Sequence, residues 1–469
     1  MKYGIADFAV QWHITSVCPN RCKHCYVYDE KTYSAERKNE LSDGQLIAVL
    51  DSIGEFESKW GANIDLFAIT GGDPLARPNW LPFLKELRRR GKRIRLMGIP
   101  ESLTDRNLAS LAELGVEHFQ LSLDGLEATH DAIRGTGSFR RTVEGLHRLK
   151  ASGISLHVMF TLNGVNQSEL IPLLRFVATQ TPAASFVFDV MSCVGNGADL
   201  GSSGLSAARM IEIFTAYLDE QGRLRGEGYS VAVREKPHLF KVLHLHRGNR
   251  LFPAATEPSV YSGCLIGWTC VSILADGTVL ACRRMPVEAG KMPEQSFEDV
   301  FLGSEILRKF RRPDGFEECG ACEYFPFCRG CPAVVYGLTG NPFAPNPLCF
   351  KKHLGPTTRA VPAPLTGFSR LPLDASYAEE YELVGRRFRN IFINNLDEFL
   401  RDENVARAIL ACSGTEERRR FATFPEAFCR EHSLQLTELQ KCFVEGFDLY
   451  AADDTKSEIR KALFWRFLS

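Results

Sequence analysis

Long hydrophobic runs are missing from this sequence, since no stretch approaches the roughly eighteen apolar residues that a membrane-spanning helix requires. The N-terminal residues contain no apolar run behind a basic start, so we predict no signal peptide. Charge is balanced, with 56 Lys and Arg against 57 Asp and Glu and a formal net charge of −1. That balance argues against a general affinity for nucleic acid or anionic membranes. We therefore expect a cytoplasmic globular protein with no nucleic-acid or membrane partner.

Cysteine, by contrast, is abundant, with 15 residues in 469. In a chain without an export signal, cysteines indicate metal or redox chemistry more often than disulfides. Their distribution is uneven, because three fall within residues 18–25, eight fall within residues 264–349 and the others are isolated. The isolated cysteines match no ligand spacing and are predicted to be buried, inert thiols: Cys193, Cys412, Cys429 and Cys442.

Strand and helix patterns alternate from the N-terminus to about residue 200. Candidate N-caps at Ser42 and Thr104, and glycines after the helix ends at Gly91 and Gly115, mark the helices. The repeated order predicts a parallel sheet with right-handed crossovers, either doubly wound or an incomplete barrel. Six short apolar segments rich in β-branched or aromatic residues are the candidate strands: 8–15, 64–70, 93–98, 118–123, 154–162 and 185–191.

Composition divides the chain into four parts. Residues 1–205 carry the α/β pattern, and residues 206–260 read as a helical connector with a helix near 206–221. Residues 261–355 are rich in cysteine and poor in periodic segments, as expected where metal holds the fold. Residues 356–469 begin with a proline-containing stretch and continue as a helical C-terminal extension.

The first cysteine group, Cys18, Cys22 and Cys25, directly follows the first candidate strand. Three thiolates with this spacing can hold three irons of a cubane cluster and leave the fourth iron open to a small molecule. Ligands bind at the carboxyl ends of strands in α/β folds, which is where this group falls. A zinc site is the alternative, with His24 as the fourth ligand.

Two further motifs follow later strands. Gly71 and Gly72 come after the second strand, where paired glycines let the backbone approach a ligand such as an amino-acid zwitterion. Ser122 and Asp124 come after the fourth strand, where a hydroxyl and a carboxylate can hydrogen-bond a ribose. Each motif alone is weak, but the cysteine group, the glycine pair and the polar strand end form a strong joint signal.

In this combination, residues 8–200 resemble the radical S-adenosylmethionine (SAM) superfamily, whose core is a partial (β/α)6 barrel. The resemblance implies that Cys18, Cys22 and Cys25 hold a [4Fe–4S] cluster that binds the amino and carboxylate groups of SAM. Gly71-Gly72-Asp73-Pro74 matches the family's Gly-Gly-Glu-Pro motif with Asp for Glu. The SAM-binding residues implied are His24, Tyr26, Gly71, Gly72, Asp73, Ser122, Asp124 and Arg134.

The second cysteine group supplies eight thiolates, enough for two cubane clusters or two structural zincs. The order of these cysteines resembles the SPASM domain, although the last spacing is two residues where many members have three. The resemblance implies two auxiliary [4Fe–4S] clusters, and hence three clusters in the chain. One would be held by Cys264, Cys270, Cys282 and Cys331, and the other by Cys319, Cys322, Cys328 and Cys349.

The resemblance implies an enzyme that abstracts a hydrogen atom through a 5′-deoxyadenosyl radical. We expect the oxidative modification of a ribosomally made peptide by a crosslink, rearrangement or desaturation, with the general base unidentified. Sulfatase-maturing members are an alternative, but an acidic base follows their equivalent of Cys282, whereas Arg283 and Arg284 follow it here. A small-molecule cofactor-pathway oxidoreductase is another enzymatic alternative. An iron–sulfur electron carrier or scaffold is the non-enzymatic one.

The expected partners are a precursor peptide and an electron donor such as flavodoxin or ferredoxin. A leader-binding domain does not fit before the first strand, so the tail from about residue 373 is the remaining candidate. Residues 396–400 through 436–443 faintly resemble the helical Nif11-type leader segment of some precursor peptides. The alternatives are a helical cap on the cysteine-rich region and a separate leader-binding protein.

Overall fold

The computed structural model describes residues 8–27, 38–200, 205–246, 263–355 and 371–388, and shorter segments at 402–412, 416–417, 420–421, 425–436 and 444. Ten strands form one sheet in the order β10-β9-β8-β1-β2-β3-β4-β5-β6-β7. The strands are β1 (Ala9–His13), β2 (Leu66–Thr70), β3 (Arg93–Met97), β4 (His118–Ser122), β5 (Ser155–Leu162), β6 (Ser185–Val190), β7 (Ala232–Glu235), β8 (Cys270–Ile273), β9 (Thr278–Cys282) and β10 (Met285–Lys291).

The helices lie mainly between the parallel strands, as the alternating pattern predicts. The barrel helices are α1 (Asp43–Trp60), α2 (Trp80–Arg89), α3 (Asp105–Glu113), α4 (Glu127–Arg134), α5 (Ser138–Ala151) and α6 (Leu170–Gln180). Those that follow are α7 (Gly197–Leu200), α8 (Ala207–Gly226), α9 (Leu239–His246), α10 (Glu305–Phe310), α11 (Glu317–Gly320), α12 (Pro332–Thr339), α13 (Tyr377–Phe388), α14 (Glu403–Ala411) and α15 (Pro425–Glu431).

All six predicted strands are present, each shorter by one to three residues, and all pair in parallel. Ser42 caps α1 by accepting a hydrogen bond from the Gln45 amide, and Thr104 caps α3 through Asn107. On β5, Leu156, Val158 and Phe160 are almost fully buried, whereas among the alternate positions Met159 is buried and His157 and Thr161 are half-buried. The period of two therefore separates a helix-covered face from the barrel interior.

The predicted helical connector contains a strand that the sequence reading missed. Residues 232–235 form β7, which pairs in parallel with β6 and extends the sheet. Only four residues long and carrying two charges, this segment lacks the apolar run that marks the other strands. The helix predicted near 206–221 is confirmed and continues to Gly226.

The cysteine-rich region continues the barrel sheet. Strand β8 pairs in parallel with β1, with Ala9 opposite Cys270, and β8, β9 and β10 follow one another as antiparallel hairpins. Asp276 and Gly277 lie in the turn between β8 and β9, where Gly277 adopts a φ of 85°. This register places Cys270 beside Ala9 at the start of β1, and Cys282 lies at the end of β9, on the far side of β8 from β1.

The described parts of the C-terminal extension are helical, as predicted. Helix α13 packs against α1, where the Tyr381 ring stacks on Trp60 at a centroid distance of 4.8 Å. The Nif11-like segments 396–400 and 437–443 lie outside the described residues, as does Cys442. Cys412 and Cys429 are buried as predicted, but Cys193 is half-buried because it lies in the loop after β6. No helix within the described ranges is long and apolar enough to cross a membrane.

Candidate active site

The loop that carries the first cysteine group is fixed at its start by one carboxylate. Glu40 Oε1 accepts hydrogen bonds from the Thr15 hydroxyl at 2.9 Å, the Ser16 amide at 2.7 Å and the Ser16 hydroxyl at 2.8 Å. The three thiols that follow are half-buried and unpaired by disulfides. Sequence reasoning missed Glu40, because it lies 24 residues from the loop that it anchors.

The glycine pair after β2 supports the same loop from the other side. The amides of Gly72 and Asp73 donate hydrogen bonds to the carbonyls of Thr15 at 2.9 Å and Val17 at 2.7 Å. A Cβ on Gly71 would lie 2.1 Å from the Thr15 carbonyl oxygen, and one on Gly72 would lie 2.3 Å from that of Val17. These two amides therefore hold the cysteine loop, and contact between this turn and SAM stays a prediction.

Replacing Gly72 with alanine should destabilise the protein by about 1–3 kcal/mol, because the added methyl meets fixed backbone rather than a mobile side chain. Gly54→Ala is the matched control, since no atom lies within 4 Å of its added Cβ in the middle of α1. Helix propensity predicts a gain of about 0.5–1 kcal/mol for that variant. Anaerobic urea unfolding measures both, and equal midpoints for the two variants would contradict the close approach.

Asp124, predicted to bind a ribose, lies at the centre of a buried charged network. Its side chain is 0% exposed and contacts Arg134 Nε, His24 Nε2 at 3.0 Å and the Thr161 amide at 2.7 Å. Burial opposes ionisation, but Arg134 and then His24 hold the pKa of Asp124 well below its usual range. Arg134 Nη1 also lies 4.0 Å from Cys22 Sγ. The network therefore joins β4, helix α4 and the cysteine loop.

Asp73 is buried beside the same cysteine loop, but its carboxyl has a raised pKa where that of Asp124 is lowered. Burial raises the pKa of this carboxyl to about 6, although the Ser102 hydroxyl donates a hydrogen bond to Oδ2. Oδ1 is buried without a hydrogen-bond partner among the described residues, as is Nδ1 of His24. Unpaired buried polar atoms are costly, so both atoms suit a bound polar ligand. The three half-buried thiols and these atoms fit a cluster that carries a zwitterion.

Tyr26 and Arg283 link the first cysteine loop to the cysteine-rich region. The Arg283 guanidinium carbon lies 5.3 Å from the centre of the Tyr26 ring, and its Nη1 lies 3.3 Å from Met97 Sδ. Burial raises the pKa of Tyr26, and burial together with Arg283 lowers that of His13 to about 3. Ser122 ends β4 and is half-buried. A cation and a neutral imidazole therefore lie beside the predicted SAM site.

The predicted ligands of the first auxiliary cluster lie together. Burial, together with the nearby Cys282 and Cys264 thiols, raises the pKa of the Cys270 thiol to about 12. Burial likewise raises that of Cys264 to about 12, with Arg329 opposing and Cys331 adding to the effect. Thiols this close, in apolar surroundings, suit a metal cluster that would take them up as thiolates.

Arg284 connects this thiol group to a buried carboxylate. Its Nη2 donates to Cys331 Sγ at 3.1 Å, and its Nη1 lies 3.1 Å from Asp189 Oδ2. Lys236 Nζ is also 3.1 Å from that oxygen. Burial opposes ionisation, but Arg284 and Lys236 lower the pKa of Asp189 to about 2. Sequence reasoning missed this contact, because Asp189 and Arg284 are far apart in the chain.

The predicted ligands of the second auxiliary cluster line one cavity beside Arg329. Lys351 Nζ lies 3.6 Å from Cys322 Sγ and also contacts Glu323, so a cation again faces a thiol. Within the described residues, no three Cys, His, Asp or Glu side chains converge on a point suited to a single metal ion. The cysteines that line the cavity are Cys319, Cys322, Cys328 and Cys349.

Comparison with known proteins places these features in a family. The radical SAM superfamily model matches residues 12–177, and the SPASM iron–sulfur cluster-binding model matches residues 264–332. The "AdoMet-dependent heme synthase" of Oleidesulfovibrio alaskensis is 26% identical over 347 residues, covering 72% of this chain and 86% of that protein. The "Mycofactocin maturase MftC" of Mycobacterium tuberculosis is 26% identical over 385 residues, covering 78% and 89%.

Solved structures share the fold. SuiB of Streptococcus suis bound to SAM superposes with a TM-score of 0.57 at 15% identity, covering 73% of this chain and 77% of that one. The structure titled "Native anSMEcpe with bound AdoMet" superposes with a TM-score of 0.55 at 16% identity, covering 74% and 94%. The two family domains support binding of SAM and of iron–sulfur clusters. The chain belongs to the radical SAM enzymes that carry a SPASM domain.

Proposed function

We propose that this enzyme oxidatively modifies a ribosomally made peptide with three [4Fe–4S] clusters and SAM. The observation that carries the proposal is a contact between the two cysteine regions, because the Arg283 guanidinium carbon lies 5.3 Å from the centre of the Tyr26 ring. Arg283 directly follows Cys282 and Tyr26 directly follows Cys25, so a predicted ligand of an auxiliary cluster and a predicted ligand of the SAM cluster lie next to two side chains in contact. A product radical formed near the first group would then have an electron acceptor close by, as a net two-electron oxidation requires.

The proposed ligand sets are those implied by the sequence. Cys18, Cys22 and Cys25 would hold the SAM cluster, and the four-cysteine groups containing Cys270 and Cys328 would hold the auxiliary clusters. When bound, SAM and its cluster supply one-electron cleavage and hydrogen-atom abstraction. The chain's own residues fix the loop through Glu40 and Asp124 and supply the buried Asp73 carboxyl.

Support for a peptide substrate comes from the relatives. The structures "Crystal structure of Streptococcus suis SuiB bound to precursor peptide SuiA" and "Native anSMEcpe with bound AdoMet and Kp18Cys peptide" share this fold with TM-scores of 0.56 and 0.55. The mycofactocin maturase is matched along 89% of its length. In sulfatase-maturing members, an acidic base follows the equivalent of Cys282. Here Arg283 and Arg284 follow Cys282 instead, and Arg283 lies beside the Tyr26 ring while Arg284 pairs with Asp189.

A tetrapyrrole substrate is the second candidate. Relatives named for heme, Fe-coproporphyrin III and pre-heme d1 synthesis match 72–74% of this chain at 25–27% identity. The Arg283 guanidinium lies beside the Tyr26 ring and Met97, and no ion pair joins it to a carboxylate in the part of the chain that the structure describes. A carboxylate on a tetrapyrrole side chain would be a suitable partner for this cation.

The first test is a comparison of peptide mass. Each short peptide gene found beside the gene for this protein is co-expressed with wild type, Cys18→Ala and the control Cys193→Ala, all under low oxygen. We expect a mass decrease of two hydrogens per modification with wild type and Cys193→Ala. Cys18→Ala should leave the peptide unchanged, because it removes one predicted ligand of the SAM-cleaving cluster.

A second arm separates the two substrates. Purified enzyme is incubated with SAM, reductant and Fe-coproporphyrin III, and the porphyrin mass is recorded beside 5′-deoxyadenosine formation. An unchanged peptide together with a changed porphyrin would replace the peptide proposal with the tetrapyrrole one. Absence of 5′-deoxyadenosine in every reaction would contradict both.

A further inference from the structure

Arg329 is a buried cation at the junction of the two cysteine groups proposed to hold auxiliary clusters. It directly follows Cys328 of one group, and its side chain lines the cavity formed by that group. Its guanidinium carbon also lies 5.7 Å from the centre of the Trp268 ring, and Trp268 lies in the chain between Cys264 and Cys270 of the other group. The whole residue is only 4% exposed.

The backbone places this side chain at a conformational cost. Arg329 has a φ of 53°, in the left-handed region that non-glycine residues seldom occupy, and Gly330 follows with a φ of 58°. The resulting turn wraps the Cys328 thiol, whose sulfur accepts a hydrogen bond from the Gly330 amide at 3.3 Å. Such strain persists where the surrounding structure requires it.

Close packing brings the cysteine group that contains Cys264 against the turn at Cys328 and Arg329. Gly263, which precedes Cys264, has a φ of 89°, and a Cβ there would lie 2.5 Å from the Cys328 carbonyl oxygen. The chain before Cys264 therefore touches the chain at Cys328. The two cysteine groups therefore meet at the Cys328 backbone, directly before Arg329.

The guanidinium itself is incompletely paired. Nε and Nη2 are buried without a hydrogen-bond partner among the described residues, and no described carboxylate forms an ion pair with Arg329. The Trp268 ring, 5.7 Å from the guanidinium carbon, is a weak partner for a desolvated cation. A buried cation is costly unless an anion neutralises it, and a cubane with four thiolates carries net negative charge.

We propose that Arg329 is a cation shared by both auxiliary clusters, donating hydrogen bonds to their sulfur atoms and stabilising their reduced states. The inference rests on the two auxiliary clusters of the proposed function. Hydrogen bonds and positive charge at the sulfur atoms raise the reduction potential of a cluster. Arg329 would therefore raise the reduction potentials of both auxiliary clusters. Arg329 is thus a tuning residue that favours transfer of the substrate electron into the cysteine-rich region.

The test is a redox titration of the full-length enzyme, followed by electron paramagnetic resonance. Wild type is compared with Arg329→Gln, Arg329→Lys and the control Lys352→Gln, a cation of the same region that is 83% exposed and pairs with Glu318. Iron content is measured first. The SAM cluster is recognised by the change in its signal when SAM is added.

In Arg329→Gln, we expect the reduced-to-oxidised ratio of both auxiliary clusters at fixed potential to fall at least tenfold, which is 59 mV for one electron. Arg329→Lys, which keeps the charge but loses the planar fork, should give a smaller fall. Lys352→Gln should match wild type.

Each other outcome has a distinct meaning. About four irons per wild-type chain, in place of about twelve, would refute the auxiliary clusters themselves. Full iron with a less than twofold change in Arg329→Gln would overturn the role of Arg329, and a change in one cluster alone would overturn its sharing. If Arg329→Gln loses iron from the auxiliary clusters, the Arg329→Lys variant decides instead. An Arg329→Lys enzyme that holds full iron and keeps the wild-type reduction potentials would overturn the proposal.

Discussion

Replacing Glu380 with alanine is expected to lower the free energy of unfolding by about 3–5 kcal/mol, because it leaves buried arginines without their carboxylate. Glu380 and Arg311 are both 0% exposed and lie 2.8 Å apart between Oε2 and Nη1. Arg312, only 4% exposed, contacts the other carboxylate oxygen, and Arg308 Nε lies 3.8 Å from it. Burial lowers the pKa of Arg311 to about 10 even with Glu380 beside it.

The same arginines bind the chain that leads into α13. Arg312 donates to the carbonyls of Leu371 and Pro372, both at 2.7 Å, and Arg308 donates to that of Leu373 at 2.5 Å. Glu380 therefore holds together the clamp that attaches residues 371–388 to the cysteine-rich region. We expect Glu380→Ala also to speed proteolysis within 371–388.

Anaerobic urea unfolding measures the change in stability, with Glu305→Ala as the control. Glu305 pairs with Lys309 on the surface and is 69% exposed, so its loss should have little effect. Glu380→Gln separates charge from shape, since it keeps a side chain of the same size. A Glu380→Ala protein that unfolds at the Glu305→Ala midpoint would contradict the buried clamp.

Local patterns were sufficient to predict most of the barrel. Strands such as β5 show their period of two, and Ser42 and Thr104 form the caps that their positions indicate. These features depend on neighbours in sequence, which a single sequence displays directly. The assignment of cysteines to clusters has a different basis, because it follows from the resemblance to the SPASM domain, which groups Cys331 with Cys264 rather than with its neighbour Cys328, and it stays a prediction.

Contacts between distant segments were not predictable in this way. Glu40 anchors Ser16, and Asp189 holds Arg284, yet neither pair leaves a spacing signature. Arg329 is adjacent to a predicted ligand, but only the left-handed turn and the approach of Gly263 reveal that it lies between two groups. The short strand β7 was missed because pairing with β6, rather than an apolar run, defines it.

Replacing Asp124 with asparagine is expected to cost about 3–5 kcal/mol of stability and to reduce SAM cleavage about a hundredfold. Asparagine has the same shape but leaves the buried Arg134 without its carboxylate and weakens the contact with His24. The folded pKa of Asp124 is depressed, so its charge stabilises the fold above the unfolded value of about 3.9 and this contribution is lost only on strong acidification. The stability penalty should therefore be equal at about pH 6 and about pH 8.

Two roles for Asp124 make different predictions in the same experiment. If the carboxylate mainly binds a ribose, Asp124→Asn and Ser122→Ala should both weaken SAM binding while the first cluster stays fully loaded with iron. If Asp124 mainly fixes His24 and Arg134, then Asp124→Asn should lose iron from that cluster, and Ser122→Ala should keep it. The buried contacts favour the second result, because both carboxylate oxygens already have partners and the side chain is 0% exposed. Iron per chain, measured beside the SAM concentration needed for half-maximal 5′-deoxyadenosine formation, distinguishes the two.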